Sequence, residues 1–87
     1  MKKHEWRERT DEGEVRLVTA TRHAREWKLS SRLKSEEEWT HHDPPELDDL
    51  HQLREILVGK SQRRRVPLEQ IAEIDKLIAK REKPRRQ

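Results

Sequence analysis

Two different periodicities divide the chain near residue 40. Over residues 14–22 (EVRLVTATR) and 26–34 (EWKLSSRLK), apolar and β-branched residues partly alternate with polar ones, as in strands with one buried face. An earlier segment, 4–10 (HEWRERT), leads into the second through DEGE, where Gly13 can supply the positive φ of a hairpin bulge. Beyond residue 44 the spacing changes to threes and fours. Leu47, Leu50, Leu53, Ile56 and Leu57 form one stripe; Leu68, Ile71, Ile74, Leu77 and Ile78 form another. The pattern predicts strands at 4–10, 14–22 and 26–35, helices at 44–59 and 67–82, and a flexible tail at 83–87. Strands and helices are segregated, so the expected class is α+β: a three-stranded antiparallel meander followed by an antiparallel two-helix hairpin packed on one sheet face, in one small domain. Leu50, Leu53, Ile71 and Ile74 are expected to bury one another.

Strand register decides which residues face water, because a one-residue slip inverts a strand. If Arg22 pairs with Glu26 across His23-Ala24-Arg25, then Val15, Leu17, Thr19 and Thr21 oppose Leu33, Ser31, Leu29 and Trp27 on an inward face. The outward face then carries Arg16, Val18, Ala20 and Arg22 beside Lys28, Ser30, Arg32 and Lys34, and it is basic. A four-residue first loop would bring Trp6 inward near Thr19. This is preferred to a three-residue loop, since burying a tryptophan outweighs burying Glu5.

The helix ends have their own signals. Asp43 before Pro44 and Pro45 has the extended geometry of an N-cap, with Glu46 at the capping-box position. Gly59 suits a stop, although the polar run to Arg64 could extend the helix by a turn, and Pro67 suits the first turn of the second helix.

Composition limits the core. Of 87 residues, 29% are apolar and 45% are charged, so the three tryptophans, Trp6, Trp27 and Trp39, are expected to supply much of the buried area. The net charge of +3 is zoned: +4 over residues 1–35, −7 over 36–58 and +6 over 59–87. The absence of cysteine excludes disulfides, thiolate metal sites and cysteine nucleophiles. No apolar run spans a bilayer, and MKKHEWRER is not a secretory signal, so a cytoplasmic protein without membrane contact is expected.

Candidate chemistry follows the charge. Arg16, Lys28, Arg32 and Lys34 on the outward sheet face could contact phosphates or base edges. Arg63, Arg64 and Arg65 offer a second dense set of donors, unless they bridge to the acidic belt at 36–49. His41 and His42 are adjacent and would point to opposite sides of an extended segment, which does not make a zinc site. There is no glycine-rich phosphate loop and no nucleophile elbow. A helix-turn-helix reading of 67–82 fails because Glu69, Glu73 and Asp75 crowd the half that would meet DNA. The expectation is a non-enzymatic nucleic-acid-binding domain that needs no cofactor. The alternative is a module that binds a protein partner or a second copy through its acidic first helix and basic corners.

Overall fold

The computed structural model describes residues 2–82; the tail at 83–87 lies outside the described residues. Four strands, β1 (Lys2–Arg9), β2 (Val15–His23), β3 (Glu26–Leu33) and β4 (Thr40–His42), precede two helices, α1 (Leu47–Gln62) and α2 (Leu68–Glu82). The fold is α+β, with an antiparallel sheet in the order β1-β2-β3-β4. Two compact units divide at residues 45 and 46, the sheet in the first and the helices in the second. None of the described helices is long and apolar enough to cross a membrane.

Both sheet hairpins have shorter turns than the sequence reading assumed. The loop between β1 and β2 is Asp11-Glu12-Gly13: Gly13 N–H donates to the Thr10 carbonyl (2.9 Å), and Thr10 N–H donates to the Glu14 carbonyl (2.8 Å). Gly13 has φ 85°, the left-handed residue that completes a three-residue turn with a bulge. The loop between β2 and β3 is only Ala24-Arg25, with φ 52° and 68°. Positive φ at both central residues is type I′ geometry, whose twist matches that of the flanking strands. His23 therefore pairs with Glu26, and Arg22 with Trp27 rather than with Glu26.

This one-residue difference inverts β2. Val18 and Ala20, expected outside, are fully buried beside Ser31 and Leu29. Val15, Leu17, Thr19 and Thr21, expected inside, lie half-buried on the other face. Trp6 pairs with Val18 instead of Thr19, yet remains on the more buried face because that face of β2 is now Val18's. His4 stacks on Trp27 on the same side, with ring centroids 5.8 Å apart and planes inclined at 29°. Of the three tryptophans expected in the core, Trp27 is buried, Trp6 is half-buried and Trp39 is exposed. β4 has no counterpart in the sequence reading. It is held by Ser30 Oγ against His41 Nδ1 (2.7 Å) and Ser31 Oγ against His42 Nε2 (2.6 Å).

In the helical unit, Leu50, Leu53, Leu57, Ile74 and Ile78 are buried, whereas Ile71 is only half-buried. His51–Glu82 (3.3 Å) and Arg54–Asp75 link the helices with the opposed numbering of an antiparallel hairpin. The hydrogen bond and the charge of Asp75 hold the Arg54 guanidinium above its ordinary pKa. α1 begins later than expected. Its N-cap is Glu46, still extended at φ −74° and ψ 145°, and no side chain caps it. Pro45 forces Pro44 out of helical geometry, so Asp43 has no adjacent helical turn to cap. Asp43→Ala should accordingly shift stability by less than about 0.5 kcal/mol in denaturant titration, below the ~1 kcal/mol typical of a lost cap.

The end of α1 accounts for part of the arginine run. The helix passes Gly59 and ends at Gln62, with Arg63 as C-cap and Arg64 at φ 60°. Arg65 N–H donates to the Lys60 carbonyl (2.8 Å) and Arg64 N–H to the Ser61 carbonyl (2.9 Å), the paired bonds of a Schellman motif. A left-handed arginine lacks the conformational freedom of the glycine usual there. Arg64→Gly should stabilise the fold by about 0.5–1 kcal/mol, raising the melting temperature by a few degrees. An unchanged or lower value would mean that the arginine side chain itself contributes to stability.

Candidate nucleic-acid interface

Alternation along the strands builds two unlike sheet faces. The buried one carries His4 and Trp6 from β1, Val18 and Ala20 from β2, Trp27, Leu29 and Ser31 from β3, and His42 from β4. The open one carries Lys3, Glu5, Arg7 and Arg9 from β1, and Val15, Leu17, Thr19 and Thr21 from β2. From β3 come Glu26, Lys28, Ser30 and Arg32, and from β4 His41.

The open face has a regular internal arrangement. One rung reads Lys3–Thr21–Lys28 and another Arg7–Leu17–Arg32; between them lies Glu5–Thr19–Ser30–His41. Each outer rung brackets a shorter β2 residue between two long cations. With strands about 4.8 Å apart and a rise of about 3.4 Å per residue, the four cation-bearing positions mark a rectangle of roughly 10 by 14 Å. Arg9 extends the β1 flank. The only carboxylate on these rungs is that of Glu5, which lies 3.5 Å from the Lys3 ammonium. Among the described residues, Arg7 and Lys28 have no ion-pair partner, and both are exposed. Neutralisation of this face is therefore incomplete, which leaves a field attractive to anions.

Arg32 has a second role. Its Nη1 donates to the Glu36 carbonyl (2.6 Å), and its guanidinium stands 5.3 Å from the centre of the Trp39 ring. Leu33 N–H donates to Glu36 Oε1 (2.9 Å), and Glu36 N–H returns to the Leu33 carbonyl (2.8 Å). These bonds fix the turn after β3 and hold Trp39 beside Arg32. Trp39 remains 39% exposed.

The sequence-derived residues are thus redistributed. Lys28 and Arg32 lie on the open face. Arg16, expected beside them, belongs to the opposite face and forms an ion pair with Glu8. Arg16 pairs with Leu33 and Arg32 with Leu17, so the two arginines lie on opposite faces. Lys34 follows the end of β3, exposed, with its N–H donating to the Val15 carbonyl (2.8 Å). Arg63, Arg64 and Arg65 are exposed on the helical unit, and none of the three forms an ion pair among the described residues.

The sequence does not single out Lys3, Arg7 and Arg9, and it points Trp39 to the core. Lys3, Arg7 and Arg9 share the parity opposite Trp6, so an inward Trp6 already directs them outward. Trp39 carried no comparable signal, because its position depends on the turn at 33–36. The Ser30–His41 contact resembles a nucleophile beside a base, but no carboxylate hydrogen-bonds His41 among the described residues. The contact ties β3 to β4. Compared with protein-family models, curated proteins and solved structures, the chain matches none.

Proposed function

We propose that this protein is a small, non-enzymatic nucleic-acid-binding domain that presents the open sheet face to the phosphate backbone. The observation that carries this reading is the bracketing of the β2 row by Lys3, Arg7, Lys28 and Arg32 on rungs whose only carboxylate is that of Glu5. Phosphates would be met at the flanks and sugars or bases over Thr19, Thr21 and Ser30, whose hydroxyls both donate and accept. Arg63, Arg64 and Arg65 supply a supplementary cluster of guanidiniums on the helical unit, suited to phosphate oxygens.

The test is a salt titration of binding to an end-labelled oligonucleotide, followed by fluorescence anisotropy. Three phosphate contacts, at Lys3, Arg7 and Lys28, predict a slope of log K against log salt of about −2.1 for a single strand and about −2.7 for a duplex. A slope near zero, or no binding at low salt, would remove the nucleic-acid reading and leave association with a protein partner or a second copy.

A further inference from the structure

Two features of the open face bear on the kind of nucleic acid it takes. The first is width. At the sheet's centre, where β4 pairs with Leu29, Ser30 and Ser31, three spacings of about 4.8 Å make the backbone alone about 14 Å across, against a major groove about 12 Å wide. A two-stranded ribbon enters that groove; this sheet, broadened at its centre by β4 and flanked by arginines and lysines, does not. The second is the exposed Trp39 ring. Arg32 covers one face of it, and the remaining exposed surface can accept another flat group. A duplex keeps its bases within the stack, where such a ring cannot reach them, whereas an unpaired strand presents base faces freely.

The local charges favour the same division of labour. Glu36, Glu37 and Glu38 immediately precede Trp39 and lie within a Debye length of it, about 8–10 Å. They repel phosphate from that corner but do not oppose an uncharged base. Phosphates are better placed at Lys3, Arg7 and Lys28, with a base at Trp39.

Resting on the nucleic-acid reading above, we infer that the ligand is single-stranded nucleic acid, with one unpaired base stacked on Trp39 and the backbone held between the cations of β1 and β3. Stacking on an aromatic ring tolerates any base, so binding is broad in sequence.

The experiment uses the full chain and end-labelled, mixed-sequence oligonucleotides of about a dozen nucleotides. They are supplied as single-stranded RNA, single-stranded DNA and the matching duplexes, and unlabelled polyglutamate serves as a competitor. Single strands should bind more tightly than duplexes. Trp39→Ala should weaken single-strand binding by about 5- to 100-fold while leaving any duplex binding unchanged. Trp39→Phe should retain most of the affinity, and circular dichroism should be the same for all three proteins. A response confined to RNA would also support the assignment and narrow it to ribose-bearing strands. Equal binding of duplex and single strand, or no effect of Trp39→Ala, would overturn the single-strand inference while leaving salt-dependent nucleic-acid binding intact. Displacement by polyglutamate as effectively per charge as by oligonucleotide would also overturn it, in favour of an acidic polypeptide. Absence of binding to every oligonucleotide at low salt would overturn both readings.

Discussion

Val18→Asp is expected to unfold the chain or bring it close to unfolding, whereas Leu17→Asp, one position away and at a larger apolar residue, should leave it folded. Val18 is completely inaccessible to solvent and lies between Trp6 and Ser31 on neighbouring strands. An aspartate there must either bury a charge or protonate and leave a polar group among apolar ones, with a loss of at least about 3 kcal/mol. At the usual 0.05–0.15 kcal/mol per residue, a chain of 87 residues has only about 4–13 kcal/mol in total. Leu17 is half-buried on the open face between Arg7 and Arg32. There a carboxylate gains two cationic neighbours, and the net loss should be about 1–2 kcal/mol from β-propensity and partial burial. Urea unfolding followed by circular dichroism would rank the two variants. The opposite ranking would mean that β2 turns its other face inward, and the basic rungs would then not exist as described.

That comparison also locates where sequence reasoning succeeded and where it failed. Both helices were legible because each stripe recurs at threes and fours, and no alternative phase buries as many leucines and isoleucines. β3 was legible in its facing, since Trp27 and Leu29 share one parity and Lys28 and Arg32 the other. β2 was not, because it carries apolar residues on both parities: Val15 and Leu17 on one, Val18 and Ala20 on the other. Register then depends on the turn, and Ala24-Arg25 lacks the Asn-Gly signature that would announce a two-residue type I′ loop. The same ambiguity moved Arg16 off the site while leaving Lys28 and Arg32 on it. The arginine triple stands out in the sequence by its side chains, yet its backbone terminates α1. The polar run to Arg64 allows the helix an extra turn past Gly59, but nothing in local composition reveals that it closes on a left-handed arginine.

Arg7→Glu combined with Lys28→Glu is expected to abolish most nucleic-acid affinity without disturbing the fold. The two residues lie on opposite flanks of the β2 row and in different rungs, so no single phosphate contact links them. Both are exposed, and neither has an ion-pair partner among the described residues, so reversal breaks no internal salt bridge. Each substitution changes the local charge by two, which at 4 Å in water corresponds to about 2 kcal/mol against one phosphate. The pair would lose about 4 kcal/mol before screening, and physiological salt should reduce the effect to roughly a hundredfold in affinity. The slope of log K against log salt should shrink by about 1.4 for a single strand, two contacts' worth of released counterions. Lys76→Glu with Arg81→Glu is the matched control, because it makes the same change in net charge at exposed positions of α2. If the control weakens binding as much as the sheet-face pair, attraction comes from overall charge and the open face is not the site. If only the sheet-face pair does so, with unchanged thermal unfolding, the rectangle of cations on β1 and β3 is where the phosphates lie.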